Sequence, residues 1–245
     1  MCNLLAEGFR RLFKSKRFYI VLAVIIAIPT FASVFIRIVE GKALDLGSAL
    51  CFSMIGTMTM FISITAGLFI INDFKNNTIR NKIIIGHSRT KIYITNLIIA
   101  FFVAFIYQLV FWLTLIGLCN TLMKFDDFPC TEIFQNMLLT MAIEFAFTSF
   151  FVFLCTSLRN TGGFVLSLML DTIVNMVASL VVMFVGSKKL AHVLEISVPS
   201  LQRDDFAYNP AYVSDNIWWM ILIDIGICIV VTIAGIEIFK RADLK

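Results

Sequence analysis

Apolar residues in this chain fall into runs long enough to cross a membrane, separated by short polar segments. At about 1.5 Å of rise per residue, a helix needs about 20 such residues to span a hydrocarbon core. Six runs meet that length, at about 18–36, 50–71, 92–118, 136–158, 161–186 and 216–238. The pattern predicts an all-α polytopic membrane protein with six transmembrane helices and one membrane module over 1–245. Neither an internal repeat nor a low-complexity linker divides the chain, and an even number of spans returns both termini to one side.

The segments between the runs carry further elements. Ahead of the first run, Phe9, Leu12 and Phe13 punctuate Arg10, Arg11, Lys14, Lys16 and Arg17, the composition of an interfacial helix with basic groups facing anionic headgroups. A basic stretch before an apolar run also suits a signal peptide. The run is long and Ala-Ser-Val-Phe-Ile-Arg is a weak cleavage site, so it is read as a retained helix, bent at Pro29. Asn72 to Lys91 holds five Lys/Arg against one Asp. Within it, Asn77 is placed to cap a short helix from Thr78, Ile79 and Ile83 share a face, Gly86 ends the turn, and Ser88 caps the next helix at Arg89. This predicts a short amphipathic helix over 74–86 across the mouths of two spans. The alternative is a loop whose charges only set orientation.

Thr59, Ser63 and Gly67 recur every four residues, and Ala100 and Ala104 do likewise; such faces let helices approach closely, within one subunit or between two. The tight turn from Ser157 to Gly163 makes spans four and five antiparallel neighbours. The segment 187–215 has one helical piece around Lys188 to Ile196, then Pro199 and Asp204-Asp205. Its aromatics Phe206, Tyr208 and Tyr212, with Trp218-Trp219, suit an interfacial belt, so part of the segment is expected on or within the outer leaflet.

Composition sharpens this picture. Of 245 residues, 60% are hydrophobic and 15% charged, which excludes an ordinary soluble domain. The net charge of +4 has no reading module attached, so nucleic acid is not an expected partner. Segments 1–17, 72–91, 159–160 and 239–245 hold five, five, one and three Lys/Arg, 14 of the 20, while the alternate loops hold six beside nine acids. The positive-inside rule then places both termini in the cytoplasm.

Glu144, Asp171 and Asp224 fall inside spans four, five and six, near mid-depth. A carboxylate at the centre of a lipid-exposed helix costs about 3 kcal/mol, so the three are expected to face protein or water. A proton or cation pathway, a cavity for a cationic or amphipathic substrate, and helix-to-helix hydrogen bonding with Thr172 or Asn175 all accommodate them. The six cysteines include no CxxC; Cys119 and Cys130 flank one outer loop and are candidates for pairing. His87 and His192 have no partners at metal-ligand spacing, and no phosphate-binding glycine loop, GxSxG or HExxH occurs. No catalytic residue, metal site or cofactor is expected on this chain.

Six spans with both ends inside, a basic N-terminal helix, a charged first inner loop and a long outer segment before the last span resemble the membrane subunit of ABC-2 type ATP-binding-cassette exporters, over essentially the whole chain. Asp73, Thr78, Ser88, Arg89 and Tyr93 match that family's loop pattern, while Asn77 stands where glycine is usual and Asn96 where lysine is common. Phe239 to Leu244 also resembles the family's exit from its last span. The resemblance implies that the loop is a cytoplasmic coupling helix seated on a separate ATPase subunit, with Asp73, Thr78, Ile79, Arg80, Lys82, Ile83, Ser88 and Arg89 as coupling residues. It implies two ATPases carrying ATP and Mg2+, a second membrane subunit, identical or homologous, and a bacterial plasma membrane. Cargoes in subfamilies of this size include bacteriocins, lantibiotics and peptide antibiotics, drugs and lipids. Glu144, Asp171 and Asp224 would line the translocation cavity. A secondary transporter or channel using those acids, or a non-transporting anchor or regulatory subunit, are the competing classes.

The charge distribution predicts that single cysteines at positions 10, 87 and 240, on a background freed of native cysteines, are shielded from an impermeant reagent in intact cells. Cysteines at 126 and 204 should react. Labelling at 87 without labelling at 204 would invert the topology.

Overall fold

A computed structural model describes residues 2–40, 54–118, 130–185, 187–203 and 212–241. Cys119, Asp126, Asp204, Asp205, Phe206, Tyr208, Pro210 and the terminal Ala242 to Leu244 lie outside the described residues, as does the side chain of Cys130. The Cys119–Cys130 pairing therefore falls outside them too.

All regular secondary structure among the described residues is helical. Helix α1 (Cys2–Lys14) precedes α2 (Lys16–Glu40); a 3-10 turn (Met54–Thr57) leads into α3 (Met58–Lys75), and the short α4 (Thr78–Ile84) leads into α5 (Arg89–Leu118). Then follow α6 (Cys130–Leu158), α7 (Thr161–Val185), α8 (Lys188–Ser197) and α9 (Ile217–Arg241). The six long helices α2, α3, α5, α6, α7 and α9 are each apolar and long enough to cross a membrane. Most outrun the apolar runs that predict them, because backbone hydrogen bonding continues to the next cap rather than stopping at the last apolar residue.

Helix α6 occupies the middle of the bundle and packs against α3, α5, α7 and α9. Its Ile143, Phe147 and Phe151 join Ile25 of α2 and Tyr107, Phe111 and Trp112 of α5 in one apolar cluster. A second cluster gathers Leu4, Ile70, Ile79, Tyr93, Val152 and Phe239 at the end of the bundle that carries α1, α4 and the C-terminus of α9. That end also holds Arg10, Arg11, Lys14, Lys75, Arg80, Lys82, Arg89 and Lys240, and is referred to as the basic end. Helix α7 is covered very little: Val165, Met169, Ile173, Met176, Val177 and Phe184 are all exposed.

Small and hydroxyl residues set the close contacts. Thr59 and Ser63 are buried, the Ser63 and Ser167 hydroxyls are 2.9 Å apart, and a Cβ on Gly67 would lie 2.9 Å from the Phe164 ring. The small-residue face of α3 thus serves packing within the subunit, against α6 and α7. In α2, Pro29 lies inside an unbroken helix, and the Thr30 and Ser33 hydroxyls donate to the carbonyls of Ile26 and Pro29.

The turn between α6 and α7 is as tight as its length demands. Arg159 takes a left-handed φ of 55°, and the Gly163 amide donates to Asn160 Oδ1 at 3.0 Å. A Cβ at Gly163 would sit 2.9 Å from the backbone oxygen of Leu154, an atom with no freedom to retreat. Gly163→Ala should therefore destabilise the protein by about 1–3 kcal/mol. Gly226→Ala, on a face of α9 where nothing lies within 4 Å, should stabilise by about 0.5–1 kcal/mol. Thermal midpoints of the two purified variants check the pair, and equal shifts would contradict the packing at α6–α7.

Candidate functional site

Two clusters of charge stand out, one at the basic end and one within the spans. The first grows from the end of α3. Asp73 lies within the last turn of α3 and is 2% exposed, so its carboxylate needs partners. Arg11 of α1 provides a two-pronged contact, Nη1 to Oδ1 at 2.5 Å and Nη2 to Oδ2 at 2.8 Å, and Lys82 of α4 adds Nζ to Oδ2 at 3.2 Å. The Arg11 guanidinium also lies over the Phe69 ring, 4.7 Å from its centroid. Burial alone would lower the Arg11 pKa; the hydrogen bond and charge of Asp73, with a lesser contribution from Glu7, outweigh it and raise the pKa above the usual guanidinium value. One carboxylate therefore ties α1, α3 and α4 together.

Helix α4 is shorter than the expected 74–86, because Phe74 and Lys75 complete α3. Asn77 does not cap it through its side chain. Its backbone takes the left-handed conformation, φ 54°, that joins the two helices, a conformation asparagine tolerates well. Gly86, at φ 101°, closes the other end, with the Gly86 amide bonded to Ile83 O and the His87 amide to Lys82 O. Ser88 caps α5 weakly, its Oγ 3.4 Å from the Lys91 amide.

The orientation of α4 differs from the expected one. Ile79 is 1% exposed and packed among Leu4, Ile70 and Tyr93, and Lys82 is turned inward to Asp73, so neither stands on an outward face. Ile83 packs partly against the same cluster, and Thr78 is half-buried. Arg80 and Ser88 are exposed, while the Arg89 guanidinium donates to the Lys240 carbonyl at 3.0 Å, at the C-terminal end of α9. The outward apolar residues are Ile84 and Ile85, at 73% and 76% exposure. Sequence reading passed over them because a short amphipathic helix has an apolar face whether that face meets its own protein or a partner. Their adjacency just ahead of Gly86, out of phase with Ile79 and Ile83, was the available signal.

The second cluster brings together the acids of the spans. After α8 the chain turns at Pro199 and enters the bundle, so that Ser200, Gln202 and Arg203 are all buried. Arg203 donates from Nη2 to Asp171 Oδ2 of α7 and from Nη1 to Thr59 Oγ1 of α3 at 3.0 Å. Its Nη1 also lies 3.7 Å from Glu144 Oε1 of α6, which accepts from Thr59 Oγ1 at 2.9 Å. Gln202 Nε2 donates to Asp224 Oδ1 of α9 at 3.3 Å and to the Ile196 carbonyl at 2.8 Å. Glu144, Asp171 and Asp224 are thus met inside the protein by one turn of chain, and Glu144 Oε2, Asp171 Oδ1 and Asp224 Oδ2 remain buried without a hydrogen-bond partner among the described residues.

Neither Arg203 nor Gln202 was singled out from the sequence. The signal was an imbalance: three acids lie in the apolar runs with no Lys/Arg beside them, so a counter-charge had to come from a loop. Among the described residues no group of His, Cys, Asp and Glu is arranged to hold a metal ion.

Removing the guanidinium would strand two carboxylates. Arg203→Gln should cost about 3–5 kcal/mol of stability, read as a fall in the thermal midpoint of the purified protein. Adding Asp171→Asn should return part of that loss, and a midpoint insensitive to Arg203→Gln would show that the pair contributes nothing to the fold.

Comparison with known proteins places this architecture. No characterised protein matches the chain individually. A family model described as ABC-2 family transporter protein matches residues 4–195, which takes in α1 to α7 and most of α8, with Asp73, α4, Glu144 and Asp171. With six apolar helices of spanning length and a family match over most of its residues, the chain belongs to the ABC-2 family of membrane transporter proteins, as a permease subunit.

Proposed function

We propose that this chain is the membrane-spanning subunit of an ATP-driven exporter, coupling hydrolysis on a separate nucleotide-binding subunit to the movement of a hydrophobic or amphipathic substrate such as an antimicrobial peptide or drug. In this reading the basic end faces the cytoplasm of a bacterial cell. Two ATPase subunits carry ATP and Mg2+, and a second membrane subunit, identical or homologous, covers the exposed apolar side of α7. Glu144, Asp171 and Asp224 border the substrate route, where their charge suits cationic groups on an amphipathic cargo, and the Arg203 turn closes it from the opposite end.

The observation that carries this reading is the attitude of α4. Its inner side is held by Ile79 in the core and by Lys82 on Asp73, while Ile84 and Ile85 project beside exposed Arg80 and Asn81. An apolar pair ringed by polar groups is the composition of a docking hot spot with a recognition rim. Because α4 joins α3 to α5 through short turns, a push on Ile84 and Ile85 is delivered to two membrane helices. Asp73, Ile79 and Lys82 act in this scheme by positioning α4, with Arg80, Ile84 and Ile85 making the contact.

The test is Ile84→Asp with Ile85→Asp in a reconstituted bilayer with the ATPase. Membrane insertion and thermal midpoint should stay at wild-type level, while affinity for the ATPase falls by more than about 2 kcal/mol and substrate-stimulated hydrolysis is lost. Ile79→Asp should instead unfold the basic end, since it buries a charge in the apolar cluster. Wild-type assembly and hydrolysis in the double variant would remove the coupling assignment.

A further inference from the structure

A cavity of about 370 Å3 opens at the basic end, where α1 gives way to α2. Arg11, Ser15, Lys16, Arg17, Asn72 and Asn76 supply its polar wall, Asp73 sits behind Arg11, and Leu12 and Phe69 supply its apolar wall. Arg11 and Asp73 neutralise each other, and Asp73 is further held by Lys82. Thr65, also in the wall, is committed to the Tyr107 hydroxyl at 2.9 Å. Lys16 and Arg17 are different: both are exposed, and neither has an ion-pair partner among the described residues. Three cations against one acid leave the wall with a surplus of two positive charges, flanked by the uncommitted amides of Asn72 and Asn76 and the hydroxyl of Ser15.

We propose that this cavity binds the phosphate-bearing headgroup of an anionic phospholipid. Lys16 and Arg17 neutralise the phosphate, and the two asparagines and Ser15 donate to its oxygens and to the polar part of the head. The volume falls within the range of small-ligand sites, roughly 300–1,000 Å3, and has room for more than a bare phosphate. A lipid is favoured over a soluble anion by what surrounds the cations. α2 enters its apolar run immediately after Arg17, and Phe13, Tyr19 and Ile20 on the same two helices are 45%, 53% and 60% exposed, giving acyl chains an apolar surface to follow. The site also has a structural consequence. Its occupant bridges the start of α2 to the end of α3 beside the Arg11–Asp73 pair, and so braces the joint that holds α4.

Short-chain phosphatidylglycerol, short-chain phosphatidylcholine and inorganic phosphate serve as probes, titrated by thermophoresis against the full chain purified in a neutral detergent. Wild type should prefer phosphatidylglycerol over phosphatidylcholine by at least about tenfold. Lys16→Gln with Arg17→Gln should weaken phosphatidylglycerol binding by about 30-fold, which corresponds to ~1 kcal/mol for each lost charge. Arg10→Gln with Lys14→Gln, which removes two exposed cations of α1 outside the cavity, should leave the preference intact. Equal losses in the two double variants would reduce the effect to diffuse surface charge and overturn the site. Inorganic phosphate binding as tightly as phosphatidylglycerol, and displacing it, would overturn the lipid assignment. An absence of lipid preference in wild type would overturn the proposal outright.

Discussion

A carboxylate away from water must be matched by charge or by hydrogen bonds, and this requirement organises the bundle both at its basic end and within its spans. At the basic end Asp73 draws in Arg11 from α1 and Lys82 from α4. Within the spans Glu144 and Asp171 draw in Arg203, and Asp224 draws in Gln202, from a segment that apolar patterning alone would leave outside. In each case an acid on a spanning helix recruits a basic or amide group from a connecting element. The connections are fixed to the bundle by that pairing, which a helix packed only through apolar side chains would not achieve.

Apolar packing then completes what charge begins. With so little charge in the spans, helix association rests on close approach and on hydroxyl contacts, as at Ser63–Ser167, Gly67–Phe164 and Gly163–Leu154. Helix α6, bearing Glu144, contributes to both core clusters and packs against four other long helices. Helix α7 contributes Asp171 and Ser167 on one side and leaves the other bare. A membrane helix so lightly covered is suited to meeting lipid or another membrane subunit.

These two features bear on transport together. The coupling role proposed for α4 needs an element that is stiff where it joins the spans and accessible where it meets its partner. Helix α4 has both properties, since Ile79 and Lys82 lock one side and Ile84 and Ile85 project from the other. Within the spans, a turn held by one guanidinium and one amide meets three acids. One oxygen each of Glu144, Asp171 and Asp224 stays buried there without a hydrogen-bond partner among the described residues.

The sequence by itself determined the six apolar helices of spanning length, the basic N-terminal helix, the turn at Asn160 and the short helix ahead of Gly86. Each depends on local periodicity, capping or the length of an apolar run, and all of these are written within a few turns of chain. It also determined that Glu144, Asp171 and Asp224 needed company, because the cost of a bare carboxylate in lipid does not depend on the fold. Only the tertiary structure decided what that company is. Arg203 lies 32 residues from Asp171 and reaches it through a turn at Pro199 that no periodicity announces. Tertiary packing likewise decided that Ile79 faces inward and Ile84 and Ile85 outward, and that the Thr59, Ser63, Gly67 face serves this subunit rather than another. A helix's pattern gives the angle between its faces; which face meets protein is set by the neighbours that claim it.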